Sequence, residues 1–294
     1  MTGRPAARRK PGPPGRPPRL LVETALVVEG YLVVAGADEV GRGCLAGPVS
    51  VGVVVVDPGS GRPPRGLRDS KLLTPQERRA LVPRIQSWVL AGAVADATAA
   101  EIDTYGIIAA LRLAAQRALA DLPDLPDCVL LDGNYDYLTP REQLTLDLPV
   151  VRPAPDPVPL ARHPVVRTRI KADVTCASVA AASVLAKTAR DAYMVELSQE
   201  HPGYGWDLNK GYATPYHRAA LRRLGPSPYH RVSWQLGLDP QDTDDEELEV
   251  EELEVEELSE DELAAEADVD LTSGQDCVVT LDATLRVAGQ EVRR

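Results

Sequence analysis

Residues 31–52 read YLVVAGADEVGRGCLAGPVSVG: an apolar run, two adjacent carboxylates at Asp38 and Glu39, and a Gly-Arg-Gly turn before a second apolar run. Tyr31 to Ala37 has the make-up of a buried strand, so its tip would present Asp38 and Glu39 to opposite sides of the pleat unless the backbone bends there. Gly41 and Gly43 give the freedom for such a bend and leave backbone N–H groups uncovered for a ligand oxygen. Taken alone, the stretch reads equally well as a charged surface turn, so the rest of the chain has to decide.

Working outward, Val49 to Val56 is a β-branched run that ends at Asp57-Pro58-Gly59 and predicts a second strand. Thr74 has Glu77 three residues on and Pro75 between them, a capping box that opens a helix to about Pro83. Ser87 to Ala97 predicts a third strand. Ala100 to Leu122 carries apolar residues at Ile107, Leu111, Ala114, Ala115 and Ala118, the pattern of one long amphipathic helix. Cys128 to Leu131 predicts a short buried strand ending on Asp132-Gly133, and Val165 to Ile170 another, followed by Lys171-Ala172-Asp173 and an Ala-rich helix to about Gln199. A further helix is expected near Pro215 to Leu224. Strands alternating with helices predict an α/β domain.

Charge divides the 294 residues more sharply than length does. Residues 1–20 carry six basic and no acidic groups, and residues 239–270 carry eighteen acidic and no basic groups, while residues 21–238 hold 23 of each. The net charge of -12 therefore belongs to the tail, and the domain itself is neutral by count, which leaves nucleic acid open as a partner. The expected organisation is a disordered basic, Pro-rich arm at 1–22, a domain at 23–238 with a C-terminal extension from about 200, an acidic disordered tail at 239–270, and a terminal segment at 271–294 in which CVVTLDATLRV alternates like a strand. Residues 147–164 contain six prolines and read as an extended surface loop. Cys44, Cys128, Cys176 and Cys277 show neither CxxC pairing nor zinc-finger spacing, which fits a reducing, cytoplasmic setting. No apolar run is long enough to span a bilayer.

Three expected strands thus end in acid: Asp38 and Glu39, Asp132, and Asp173. Ligands of open α/β sheets bind beyond strand ends, and four carboxylates gathered there would raise one another's pKa unless a cation balanced them. Magnesium or manganese suits an all-oxygen set, completed by a substrate phosphate. Five of the 32 basic residues are lysine, and four of these, Lys71, Lys171, Lys187 and Lys210, fall in the segments already singled out. A lysine kept against an arginine background fits a compact charge for a phosphate or a carboxylate cluster.

Taken together, Gly36-Ala37-Asp38-Glu39-Val40-Gly41-Arg42-Gly43, Leu131-Asp132-Gly133, Lys171-Ala172-Asp173 with the helix from Ser178 to Lys187, and Gly203-Tyr204-Gly205 followed by Lys210-Gly211-Tyr212-Ala213-Thr214 resemble bacterial ribonuclease HII over about residues 31–236. The type III enzymes differ where Gly41-Arg42-Gly43 stands. The resemblance implies a ribonuclease H-like fold, a five-stranded mixed sheet flanked by helices with a small C-terminal helical extension. It implies a metal-dependent endoribonuclease that cuts the RNA strand of RNA–DNA hybrids and nicks 5′ of single ribonucleotides in duplex DNA, leaving 3′-hydroxyl and 5′-phosphate ends. Asp38, Glu39, Asp132 and Asp173 would hold two Mg2+ or Mn2+ ions, one activating water and the other stabilising the leaving oxygen, with Asp38 shared between them.

By the same resemblance Gly41, Arg42 and Gly43 would read the ribose 2′-hydroxyl through backbone groups, and Tyr212 would contact that hydroxyl and pack on the next sugar. Lys71 and Lys187 are expected at phosphates or active-site charges, Ser178 and Ser183 in helix packing, and His217 and His230 in structural roles. A monomer is expected, and Gln235-Leu236-Gly237-Leu238 faintly resembles a sliding-clamp peptide. A structure-specific nuclease of the same fold, or a non-catalytic nucleic-acid-binding protein, are the alternatives; the Gly-Arg-Gly turn and Tyr212 speak against the first and the full set of acids against the second. The proline-rich link between Asp132 and Asp173, the arm, the tail and the terminal segment depart from the family pattern.

Overall fold

The computed structural model of the protein describes residues 17–59, 61–139, 155–156, 158–236 and 287–288. Most of the basic arm, much of the proline-rich loop, the acidic tail and nearly all of the terminal segment lie outside these residues, and with them the disorder expected of arm and tail.

A five-stranded mixed sheet forms from β1 (Val34–Val40), β2 (Val49–Val56), β3 (Ala91–Ala97), β4 (Cys128–Asp132) and β5 (Val165–Arg169) in the order β5-β4-β1-β2-β3, and β6 (Val287–Ala288) adds a two-residue edge beside β3. β1 and β2 pair antiparallel, from Val34 opposite Val56 to Val40 opposite Ser50, whereas β1, β4 and β5 run parallel. That parallel trio is what builds the site, because three C-terminal strand ends open on the same side of the sheet. All eight residues of β2 are buried, as its valine-rich run, interrupted only by Ser50 and Gly52, requires of a strand covered on both faces.

One face packs against α4 (Ile107–Ala120), whose Leu111, Ala114, Ala115, Ala118 and Leu119 join Ala35, Ala37, Val51 and Val53. The other packs against α6 (Ala177–Glu200), where Ala180, Ala181, Val184 and Leu185 meet Val54 and Val56, together with Leu81 and Ile85 of α2 (Pro75–Gln86). Alanine lets α6 lie close to the sheet, and at Gly36 the approach is so close that any side chain would collide with the main chain of Ser178 and Val179. The start of α6 has no side-chain cap of its own. Glu23 of α1 (Leu21–Val28) supplies one from a distance: its Oε1 accepts from Ser178 N at 2.9 Å and from Ser178 Oγ at 2.7 Å. Burial raises the pKa of this carboxyl and the Ser178 bonds oppose the rise.

Several boundaries differ from expectation for identifiable reasons. The first strand begins at Val34 and continues through Val40, so both acids lie inside it. The capping box at Thr74 and Glu77 is present, but α2 runs past Pro83 to Gln86, Pro83 being accommodated near its C-terminal end. The third strand starts only at Ala91, after α2 has closed on Ser87. The single helix expected from Ala100 to Leu122 is two, α3 (Ala99–Tyr105) and α4, divided by Gly106 at φ 84° and ψ 159°. The stretch after Lys171 likewise divides into α5 (Ala172–Thr175) and α6, with Cys176 extended between them.

The C-terminal extension comprises α7 (Trp206–Asn209) and α8 (Pro215–Leu224), the latter at its expected bounds. Its Tyr204, Trp206 and Leu221 pack with Leu45, Ala46 and Met194, which fastens the extension to the chain just beyond the Gly-Arg-Gly turn. Leu236 is buried in this same cluster, so in the clamp-like segment it faces inward, while Gly237 and Leu238 lie outside the described residues.

Candidate active site

Asp38 and Glu39 straddle the sheet. Strand alternation turns Asp38 toward α6, beside the Ser183 hydroxyl, and Glu39 toward the opposite face, where Tyr137 Oη donates to its Oε2 at 3.3 Å and Arg42 Nη1 lies 3.5 Å from its Oε1. Asp132 closes β4, one residue past the pairing of Ala37 with Leu131, and so stands beside Asp38 on the neighbouring strand. Its Oδ1 accepts from Ala172 N at 2.7 Å and Asp173 N at 3.4 Å, fixing the turn in which Lys171 takes the left-handed conformation at φ 58°. That turn carries Asp173 back toward Asp132. Lys71 Nζ lies 3.7 Å from Asp173 Oδ2 with 74% of its side chain exposed, so its amine can reach beyond the protein surface.

The acids act on one another. The carboxyl of Asp38 is pushed up to about 7, first by burial and then by the charges of Glu39, Asp132 and Asp173, with Ser183 opposing. Glu39 is raised by burial and by Asp132 against the pull of Arg42 and Tyr137, and Asp173 by burial, Asp132 and Asp69 against Lys71. Among the described residues no three His, Cys, Asp or Glu side chains are already drawn together as a metal cluster. The donor set nevertheless fits a hard divalent cation: Asp38, Glu39, Asp132 and Asp173 offer oxygen only, and their mutual repulsion is what such a charge would relieve.

The Gly-Arg-Gly turn leaves β1 two residues beyond Glu39. Gly41 is at φ 83° with the Arg190 guanidinium packed where a side chain would begin, so glycine is demanded there by the fold. Gly43 is different: its φ is not in the left-handed region and a side chain would meet nothing within 4 Å, so nothing internal calls for glycine. Tyr212 is 40% exposed, with Lys187 Nζ 5.5 Å above its ring. Lys187 is already paired with Asp191 at 2.7 Å, and Asp191 in turn with Arg78 at 3.0 Å, so Lys187 is less free than Lys71.

Two arginines here went unread in the sequence, whereas His217, His230 and Ser183 take the structural roles expected of them. Arg190 and Arg231, with 1% and 0% exposure, give their hydrogen bonds to backbone carbonyls around residues 41–48 and, from Arg190, to Lys210 O. Behind Tyr212 lies a closed network: His217 Nδ1 donates to Tyr212 O at 2.8 Å, while its Nε2 accepts from Trp206 Nε1 and from His230 Nε2, each at 3.1 Å. His230 Nδ1 accepts from Ser227 N at 2.9 Å, which leaves its proton on Nε2 and makes both rings neutral. Burial lowers the pKa of His217, and burial with the neighbouring His217 takes His230 down to about 4. Ser183 Oγ shares a hydrogen bond of 2.8 Å with Ser70 Oγ, tying α6 to the turn that bears Lys71.

The family model described as Ribonuclease HII matches residues 35–237. The chain is 46% identical over 222 residues to the Ribonuclease HII of Streptomyces avermitilis, spanning 75% of this chain and 85% of that one. It is 48% identical over 225 residues to that of Streptomyces griseus, with the same coverage, and 44% identical over 213 residues to that of Cereibacter sphaeroides, spanning 72% and 89%. Among solved structures, the ribonuclease H2 of Pyrococcus horikoshii shares the fold, with a TM-score of 0.54 at 24% identity over 73% of this chain and 100% of that one.

Proposed function

The chain belongs to the ribonuclease HII family; it is a ribonuclease H acting on RNA–DNA hybrids, and we propose that it also nicks duplex DNA on the 5′ side of a single embedded ribonucleotide. In this reading Asp38, Glu39, Asp132 and Asp173 hold two Mg2+ or Mn2+ ions, which when bound would supply water activation and stabilise the departing 3′ oxygen in an in-line displacement. Asp38, between Glu39 on its own strand and Asp132 on the next, would serve as a ligand to both ions. Asp132 also orients the turn that presents Asp173. Lys71 meets a substrate phosphate and Lys187 packs over the Tyr212 ring, while Tyr212 lies against the sugar and the backbone of Gly41, Arg42 and Gly43 reads the ribose 2′-hydroxyl. The products are 3′-hydroxyl and 5′-phosphate ends. We assign the protein to ribonucleotide removal from DNA, as a cytoplasmic monomer. A sliding-clamp contact through residues 235–238 would require Leu236 to leave the cluster in which it is buried.

The observation that supports this most is that three neighbouring parallel strands bring Asp38 and Glu39 of β1, Asp132 of β4 and, just beyond β5, Asp173 to one side of the sheet, while the Gly-Arg-Gly turn leaves β1 itself. Chemistry and sugar recognition thereby fall within a few residues. A nicking assay on a duplex with one embedded ribonucleotide, in Mg2+ or Mn2+, tests the proposal with Asp38→Asn as control. Nicking at that nucleotide by the wild type alone is expected; cleavage of an all-DNA duplex would favour the structure-specific nuclease instead, and activity surviving in Asp38→Asn would overturn the assignment of the acids.

A further inference from the structure

Two buried arginines stand behind the Gly-Arg-Gly turn, and neither has a carboxylate partner within 4 Å among the described residues. Arg231 Nη2 donates to Gly41 O at 2.7 Å and to Pro48 O at 3.1 Å, Nη1 to Arg42 O at 2.9 Å, and Nε to Gly47 O at 3.2 Å, with the Trp234 ring 4.9 Å away across its face. Arg190 donates to Pro48 O at 2.9 Å, Ala46 O at 3.1 Å and Lys210 O at 2.9 Å. A guanidinium taken out of water without a counter-ion is costly unless its donors are filled, and here backbone carbonyls fill them.

The consequence lies on the other side of each peptide. In a trans peptide the C=O and the following N–H point in opposite directions, and no cis bond occurs among the described residues. Drawing Gly41 O and Arg42 O inward onto Arg231 therefore turns the N–H groups of Arg42 and Gly43 away from the protein interior. Both residues are exposed, and neither N–H finds an acceptor among the described residues. The open space at Gly43, which nothing in the fold explains, lets an acceptor come close.

We propose that Arg231, backed by Arg190, is a positioning residue for sugar discrimination: its planar fork fixes the two peptide units whose outward N–H groups meet the ribose 2′-oxygen. This deepens the proposed reading of residues 41–43 and rests on it. Lysine at position 231 would keep the charge but lose the fork, since an ammonium cannot span carbonyls that a guanidinium bridges from separate nitrogens. The loop would keep its place while its peptide planes lost their aim.

The test compares wild type, Arg231→Lys and, as a control arginine remote from the turn, Arg117→Lys, which bonds Glu101 and Asp96 O. With a chelator present to prevent cleavage, affinities are measured for a duplex with one ribonucleotide and for the same duplex in all-DNA form. The ratio of the two is expected to fall about tenfold in Arg231→Lys, the loss of one to two hydrogen bonds to the sugar, with all-DNA affinity and the control's ratio unchanged. Amide order parameters of residues 42 and 43 should fall in the same variant, a readout that needs no substrate. Should Arg231→Lys not fold, Arg190→Lys carries the same two measurements. An unchanged ratio with unchanged order parameters in the folded variant overturns the proposal. A wild type that shows no preference for the ribonucleotide, while the order parameters still fall, would instead overturn the ribose-reading function and leave the clamp as a purely architectural device.

Discussion

The two halves of the site are built on opposite principles. The acid half, Asp38, Glu39, Asp132 and Asp173, concentrates like charge at strand ends, and its nearby cations, Lys71 and Arg42, are more than half exposed in their side chains. The recognition half, Gly41–Gly43 and Tyr212, is held from behind: buried Arg231 takes the carbonyls of Gly41 and Arg42 and neutral His217 that of Tyr212, with Arg190 and His230 packed behind them. In the proposed reading, one half holds electrostatic tension that a cation and a phosphate would release, and the other makes its hydrogen bonds in advance so that nothing need move when a sugar arrives. Chemistry tolerates the first arrangement and discrimination needs the second.

Substitution in the acid half should therefore harm activity without harming stability. Asp38→Asn is expected to lower the cleavage rate by ~10^3-fold or more, the loss of several kcal/mol of metal-derived stabilisation. Its thermal midpoint should hold or rise, because a carboxylate is removed from a buried site crowded by three others. Paired single-turnover and melting measurements check this, and a marked drop in midpoint would mean that Asp38 is a structural residue.

In the recognition half, acid should do the opposite and unfasten the structure. His230 is held near a pKa of about 4 in the fold against about 6.5 when unfolded, so the unfolded state binds the proton first. Its contribution is fully present above about pH 6.5 and is lost as pH falls toward 4, on the order of 3 kcal/mol in total. The facing groups are His217 and His201, both of which disfavour the charged ring, and Ser227, whose N–H occupies the nitrogen that would take the proton. Denaturant unfolding at pH 7 and pH 4.5, for wild type and His230→Gln, should show the wild type losing its advantage at the lower pH. Parallel pH dependence in the two proteins would remove the histidine pair from the account.

The glycines sharpen the contrast within three residues. Gly41→Ala meets both a positive φ and the Arg190 guanidinium, and should cost ~1–3 kcal/mol of stability. Gly43→Ala enters open space and should leave stability within ~0.5 kcal/mol while weakening binding to a ribonucleotide-containing duplex. Equal destabilisation by the two would deny that Gly43 is kept for an outside partner.

How far all this could be read from the chain follows the same division. The acid half was legible because an apolar run leads into each acid in the sequence itself, even though Asp38 and Glu39 lie within β1 and Asp173 within α5. The parallel pairing of β1, β4 and β5 was not legible in this way, because β2 follows β1 antiparallel and β5 follows β4 with no helix between them among the described residues. The supports of the recognition half were not legible, since their partners are backbone carbonyls, which carry no signature in sequence. The scarcity of lysine even pointed away from them: it drew attention to Lys71 and Lys187 and made arginine the background, yet Arg190 and Arg231 of that background are buried cations. Gly106 was missed for a related reason, because the apolar pattern continues on both sides of the break and only the backbone conformation there reveals it.

Lys71 tests where the two halves meet, and its effect should be the smallest. Its ion pair with Asp173 spans 3.7 Å with the lysine largely in solvent, a geometry that contributes ~0–1 kcal/mol to stability at most. Lys71→Met should thus leave the melting temperature nearly unchanged. If the exposed ammonium meets a substrate phosphate, removing it should raise KM several-fold at low ionic strength with kcat little altered, and the difference from wild type should shrink as salt is added. If instead the lysine serves mainly to offset Asp173, kcat and its metal dependence would shift while KM stayed put. The KM-against-kcat split therefore decides whether Lys71 belongs with the acids it faces or with the surface that holds the nucleic acid.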